Sequence, residues 1–212
     1  MIKEMAVADL QGIQAGIDAG VDRIELNNHL ELGGLTPNFD LVAKAVELTT
    51  AAGIDLIVMV RPRSGDFNYS HLEIETMLQT ILHLRALGVR GVTFGVLTPK
   101  GNLSRHYMVE LLEAAGSMEV VFHMAFDDIP HENQSMTMDW LLDHGVRRIL
   151  THGGALSQSI NTTMDWLKET IANAPAGMTI LPGGGVNYEN AGIIANELSV
   201  SELHGTRIVK LV

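Results

Sequence analysis

Apolar residues along this chain follow two alternating rhythms. Runs dense in Val, Ile, Leu and Met stand at 2–7, 21–27, 54–61, 91–97, 118–124, 147–153 and 178–184, with a shorter one at 202–206. Each has the length of a buried strand. Between them lie stretches at 9–19, 38–52, 72–88, 104–115, 135–144, 159–173 and 188–197. Their apolar positions return every three or four residues, the period of a helix with one face in a core. In 72–88 the stripe runs through Leu72, Ile74, Met77, Leu78, Ile81, Leu82 and Leu84. Ala-Gly at 19–20, Leu-Gly at 87–88 and His-Gly at 144–145 stop helices just ahead of the next strand.

This alternation predicts parallel strands joined by right-handed crossovers, and eight such strands can close into a TIM (β/α)8 barrel. An open doubly wound sheet is the rival. The even spacing of the runs, and polar residues at the carboxyl end of nearly every strand, favour the barrel. Only RIVKLV follows the eighth strand, too short for a full helix. The reading is therefore an α/β chain with one barrel domain over residues 1–212 and an incomplete outer ring, its final helix missing or very short. The thin wall between strands eight and one would invite a second copy, so a homo-oligomer is expected.

Composition narrows the function classes. The chain carries 25 acidic against 14 basic residues, a net charge of −11, which repels nucleic acid. No cysteine is present, which excludes disulfides, thiolate metal sites and cysteine nucleophiles. There is no run of 18 apolar residues, and MIKEMAVADL lacks the basic and apolar blocks of an export signal. No membrane contact and a cytoplasmic location are expected. The eleven methionines mostly fall inside apolar runs, as core filler.

A barrel enzyme keeps its chemistry at the carboxyl ends of its strands. The residues there include Glu4, Glu25, Asn27, Arg61, Arg63, Thr93, His123, Asp127, Thr151, His152, His204 and Thr206. In VDRIELN the period of two turns Ile24 and Leu26 toward the helices and Arg23, Glu25 and Asn27 to the interior. A carboxylate there needs a partner, with Arg61 and His123 the candidates; Glu25 is either half of a structural plug or a pocket acid–base group. Arg61 and Arg63, in RPRSGDFNYS, present planar forks suited to an anion, or pair with Glu25 or Asp66. His123 reads as an acid–base residue whose tautomer Asp127 would hold, or else as a satisfied core histidine. His152 and His204 join Thr206 and the glycines of LPGGGV, chiefly Gly184 and Gly185, as ligand-binding candidates. Loops after strands seven and eight often grip phosphate through bare backbone N–H groups. The histidines lack the short spacing of a metal site, so no metal ligand is assigned.

Six stretches taken together, RIELN…GGLTP (23–37), MVRPRSGDFNYS (59–70), GVTFGVLTPKGN (91–102), VVFHMAFD (120–127), RILTHGG (148–154) and LPGGGV (181–186), resemble the CutC family of cytoplasmic copper-homeostasis proteins. The resemblance implies a TIM barrel without a full set of outer helices, oligomeric, with Glu25, Arg61, Arg63, His123 and Asp127 lining a pocket. The chain departs from the family pattern at Asn27, where Cys is common, at Met124, where Arg is common, and at Ser64, where Gly is usual. Copper enters only through the resemblance, and family proposals for it lean on cysteine sulfur. His123 and Met124, as strand neighbours, would point to opposite faces. Two readings stay open: copper handling, or an isomerase- or lyase-type enzyme on a small anionic or phosphorylated metabolite.

Overall fold

The structure, a computed structural model, describes residues 1–211. Strands and helices alternate as β1 (Ile2–Val7), α1 (Leu10–Asp18), β2 (Arg23–Leu26), α2 (Phe39–Ala52), β3 (Asp55–Met59), α3 (His71–Ala86), β4 (Gly91–Phe94), α4 (Arg105–Ala115), β5 (Glu119–Phe122), α5 (His131–Asp143), β6 (Arg148–Thr151), α6 (Ile160–Asn173), β7 (Thr179–Pro182), α7 (Ala191–Leu198) and β8 (Glu202–Gly205). Every ladder is parallel, in the order β7-β6-β5-β4-β3-β2-β1-β8. β7 and β8 share no ladder. Beyond their ends Asn187 bridges to Arg207, and Tyr188 N–H donates to the Arg207 carbonyl at 2.8 Å. The result is the expected (β/α)8 barrel, nearly closed, with its seam between β7 and β8.

Local chemistry explains most boundaries. Asp9 and Asn38 cap α1 and α2 by accepting from the N–H groups of Gly12 and Leu41, and Ser70 with Glu73 forms a reciprocal capping box on α3. On α3, Ile74, Met77, Ile81 and Leu84 are buried while Leu72 and Leu82 face solvent. Helix α5 starts at His131, a turn before the predicted 135, directly after Pro130. Its first residues are polar and carry no periodic signal. Strand β5 ends at Phe122, and His123 leads into a 3₁₀ turn over Met124–Asp128. Among the described residues no helix follows β8, and Ile208 and Val209 are buried against the main core. Among the described residues no helix is long and apolar enough to cross a membrane.

The main core lies between sheet and helices and takes Ile24 and Leu26, as the period of two predicts. Inside the barrel a separate apolar layer joins Ile57, Val121, Leu150 and Leu181. At the amino end the interior is ionic. Arg23 pairs with Glu4 and, at 2.7 Å, with Glu202; Arg148 reaches Glu202 at 2.9 Å and also pairs with Glu119. The Glu–Arg plug considered for Glu25 is thus built from Glu4 and Glu202. This leaves Glu25, one step further along β2, on the other side of the barrel's ionic floor.

Candidate functional site

A cavity of about 520 Å³ opens at the carboxyl face, the size of a small-metabolite site. Of the ten catalytic and ligand-binding candidates, seven line it: Glu25, Arg61, His123, Gly184, Gly185, His204 and Thr206. Arg63, Asp127 and His152 do not. Asn27 and Arg207 complete its polar wall, with Met59, Phe67 and Met124 among its apolar parts.

Arg61 does not pair with Glu25. Its Nη1 donates to the carbonyls of Leu32, Gly33 and Gly34 at 3.2 Å each, and its Nη2 to the Gly65 carbonyl at 2.9 Å. Gly33 and Gly34, both at φ +84°, bend the chain so that these carbonyls converge, and a Cβ on Gly34 would strike Asn27 Oδ1. The fork thus anchors the loop after β2. Only Nε has no protein partner among the described residues, and the side chain is buried. The guanidinium stacks over Phe67, 4.9 Å from the ring centroid, and Phe67 in turn lies 4.8 Å from the His123 ring.

His123 is held by its own chain. Ala125 N–H donates to Nδ1 at 3.2 Å because the 3₁₀ turn folds back on it. Asp127, expected to hold this ring, does not reach it. Nε2 is buried without a protein partner among the described residues, and the residue lines the cavity. Burial, reinforced by the nearby Arg61 charge, pushes its pKa down to about 3, so the ring is uncharged at neutral pH. The same turn overturns the expectation that Met124 points away from His123, since both line the cavity.

Glu25 finds Asn27 and His204 instead of Arg61 and His123. Asn27 Nδ2 donates to its Oε2 at 2.8 Å, and His204 Nε2 stands 3.9 Å from the same oxygen. The other His204 nitrogen, Nδ1, bonds Glu4 Oε1 at 2.7 Å. Burial raises the Glu25 pKa, His204 opposes the rise and Glu4 adds to it. For Glu4 burial also acts upward, but His204 and Arg23 outweigh it and hold the group at about 2. His204 is raised: burial works against its charge, yet Glu25 and Glu4 prevail. A permanently ionised Glu4 therefore backs an imidazole that faces a proton-accepting carboxylate, the order of groups in many catalytic relays. The sequence marked Glu4 and Asn27 only as strand-end polar residues; their link to Glu25 depends on neighbouring strands.

The triple glycine has two jobs. A Cβ on Gly183 would come within 2.8 Å of Leu150 and 3.1 Å of His204, so this residue makes interior room. Gly184 and Gly185, at φ +77° and +82°, carry the backbone along the cavity rim. Beside them stand Thr206 and Arg207, both exposed; the Arg207 guanidinium has no ion pair among the described residues. Strand alternation hides Arg207 from a sequence reading, since β8 ends at Gly205 and the period of two no longer applies.

The remaining three marked residues serve loops. Arg63 donates to Glu73 at 2.6 Å, to Asp66 at 2.9 Å and to the Asn68 carbonyl at 2.9 Å, and its guanidinium lies 5.1 Å from the Tyr69 ring centroid. Asp127 accepts from Thr151 Oγ1 at 2.5 Å and from the N–H groups of His152, Gly153 and Gly154 at 2.9–3.1 Å, fastening the loop after β6. His152 has a carbonyl oxygen against each ring nitrogen, Gly183 at 3.0 Å and Gln158 at 3.2 Å.

Fold and site define a (β/α)8 barrel with a cavity at the carboxyl face lined by polar and titratable side chains. The sequence pattern of the CutC family matches residues 1–209, and the chain belongs to that family. It is 37% identical to the CutC protein of Enterococcus faecalis over 209 residues, covering 99% of this chain and 100% of that one. With the Streptococcus pyogenes serotype M6 CutC protein it shares 36% identity over 210 residues, covering 99% and 100%. A solved CutC structure from Streptococcus agalactiae, provisionally assigned to copper homeostasis, superposes with a TM-score of 0.95 at 33% identity and covers 99% and 100% of the two chains. Deoxyribose phosphate aldolase from Aeropyrum pernix shares the fold alone, at TM-score 0.72 and 12% identity over 99% of this chain and 87% of that one.

Copper fits these residues poorly. The chain offers no thiolate. Met59, Met124 and His123 line the cavity and carry soft enough donors, but the burial and the Arg61 charge that keep a proton off His123 also oppose a metal cation there. The three-residue cluster Glu4, Glu25 and His204 presents mostly hard oxygens, and both Glu4 oxygens already accept from Arg23 and His204.

Proposed function

We propose that the cavity binds a small anionic metabolite, phosphorylated or carboxylated, and moves a proton on it in an isomerase- or lyase-type step. One observation carries the reading. Arg61 and His123 line the same cavity as a carboxylate of raised pKa, and each keeps a buried side-chain nitrogen, Nε and Nε2, without a protein partner among the described residues. Buried polar groups are nearly always satisfied, so two such donors beside an acid–base group suit a polar ligand.

The roles follow from position. Arg207, Thr206 and the backbone at Gly184 and Gly185 take the anionic end, where an unpaired guanidinium meets open main chain. Glu25 is the proton acceptor, with the His204 imidazole beside it and the ionised Glu4 holding that imidazole from behind. His123 and Arg61 stabilise charge developing on the ligand. Asp127, saturated by four donors, positions the loop after β6 and takes no part in the chemistry. The cytoplasmic location belongs to the same proposal and suits a metabolic enzyme without cysteine.

A thermal-shift and calorimetric panel of phosphate, sulfate, small phosphorylated metabolites and copper(I) tests this. Phosphate compounds should raise the unfolding midpoint. Arg207→Ala should weaken them about tenfold or more, the effect of losing one charged hydrogen bond. If no anion binds, the reading fails. Stoichiometric copper at neutral pH, lost in His123→Ala, would replace it with metal handling.

A further inference from the structure

We infer that the ligand is a small carbonyl compound with an anionic tail, that His123 meets its carbonyl oxygen as an uncharged hydrogen-bond donor, and that Glu25 removes the proton from the adjoining carbon. This rests on the cavity being the proton-transfer site proposed above, and it names what that site acts on.

The geometry of His123 carries it. A bond from Ala125 N–H into Nδ1 is open only to the imidazole form whose proton sits on Nε2, or to no proton at all on the accepting nitrogen. Nε2 therefore carries the ring proton, a buried N–H donor without a protein partner among the described residues, on a residue that lines the cavity. Gly95 keeps the ring there, because a Cβ at that position would come within 3.0 Å of His123 Cε1 and Nδ1. Burial and the Arg61 charge add a reason for the ring to stay uncharged. For a ligand oxygen that is already an anion, an imidazolium would be the stronger partner. A neutral donor suits an oxygen that becomes negative only as a proton leaves the neighbouring carbon.

The step balances without a co-reactant. The C–H bond beside the carbonyl breaks and its proton goes to the Glu25 carboxylate. Its electron pair becomes the new C=C bond, and the carbonyl π pair moves onto oxygen, held by His123 Nε2–H and Arg61 Nε–H. Return of the proton from Glu25 to carbon reverses the change. No protein donor among the described residues reaches Glu25 Oε1, while Oε2 is held by Asn27. One oxygen thus remains for the substrate.

The test compares two probes with the same phosphate tail by calorimetry: phosphoglycolohydroxamate, planar and enolate-like, and saturated glycerol 3-phosphate. The wild type should bind the hydroxamate at least about tenfold more tightly, since enzymes bind transition-state mimics better than substrate-like ligands. In His123→Leu the gap should close, with glycerol 3-phosphate affinity changed less than about threefold. Equal affinity of the wild type for both probes would overturn the inference and leave the anion site standing; binding of neither would remove the anion site as well. Nitrogen-15 NMR of the wild type adds a readout independent of any variant. His123 should show a proton on Nε2 only at pH 6, and an imidazolium there would overturn the inference.

Discussion

Arg61 shows how one residue divides its donors between structure and ligand. Its two terminal nitrogens tie the loop after β2 and the turn at Gly65, and its Nε is buried without a protein partner among the described residues. A lysine keeps the charge but lacks the planar fork and cannot reach both sets of carbonyls. Arg61→Lys should cost about 2–3 kcal/mol in urea denaturation, the order expected for charged hydrogen bonds lost in a buried place. It should also weaken phosphate binding. An unchanged denaturation midpoint would show that the loop holds without the fork. That Arg61 would matter was legible in the sequence, from its place after an apolar run beside a proline. Which of its nitrogens would be free was not, because the accepting carbonyls belong to a loop 27 to 29 residues earlier.

At the scale of elements, strand register assembles the acid–base relay. Parallel pairing puts Glu4 of β1 opposite Arg23 of β2 on one side and opposite His204 of β8 on the other. Folding therefore holds Glu4 at about 2, below its ordinary 4.5. A carboxyl with a depressed folded pKa contributes stability in full above the unfolded value and loses it as pH falls. The loss here should run from about pH 4.5 down to about pH 2 and amount to about 3 kcal/mol. His204, raised above 6.5, works in the opposite sense: its contribution is whole below 6.5 and fades as pH climbs through its folded pKa. Glu25, also raised, changes in the same sense, its contribution whole below about pH 4.5 and lost as pH rises through its folded pKa. Denaturation across pH should show both limbs, and Glu4→Gln should flatten the acidic one. A variant as acid-sensitive as the wild type would remove Glu4 from this role.

Across the whole molecule, the strands nearly close their ring, while among the described residues the helices leave theirs open. Ile208 and Val209 fill the inner part of the eighth helix's place. Met1, at 52% exposure before β1, and Ile193, at 68% on α7, remain open on the elements that flank it. Burying apolar surface of this kind against a second copy would stabilise a closed symmetric assembly. Self-association is accordingly proposed: light scattering at micromolar concentration should give a mass above the 23.0 kDa of one chain. A monomer at every concentration would sink that proposal.

Periodicity alone located the strands and helices of the described residues and the inward turn of Glu25 and Asn27. These depend on contacts a few residues apart and on the two-residue alternation of a strand. Only the tertiary structure decided which polar groups meet: His204 with Glu4 across 200 residues and Arg23 with Glu202 across 179. It likewise placed Asp127 and Arg63 in loops and Arg207 at the rim. A buried charge or imidazole takes the partner that ring closure delivers to it. That closure joins the first strand to the last, a distance no local pattern spans.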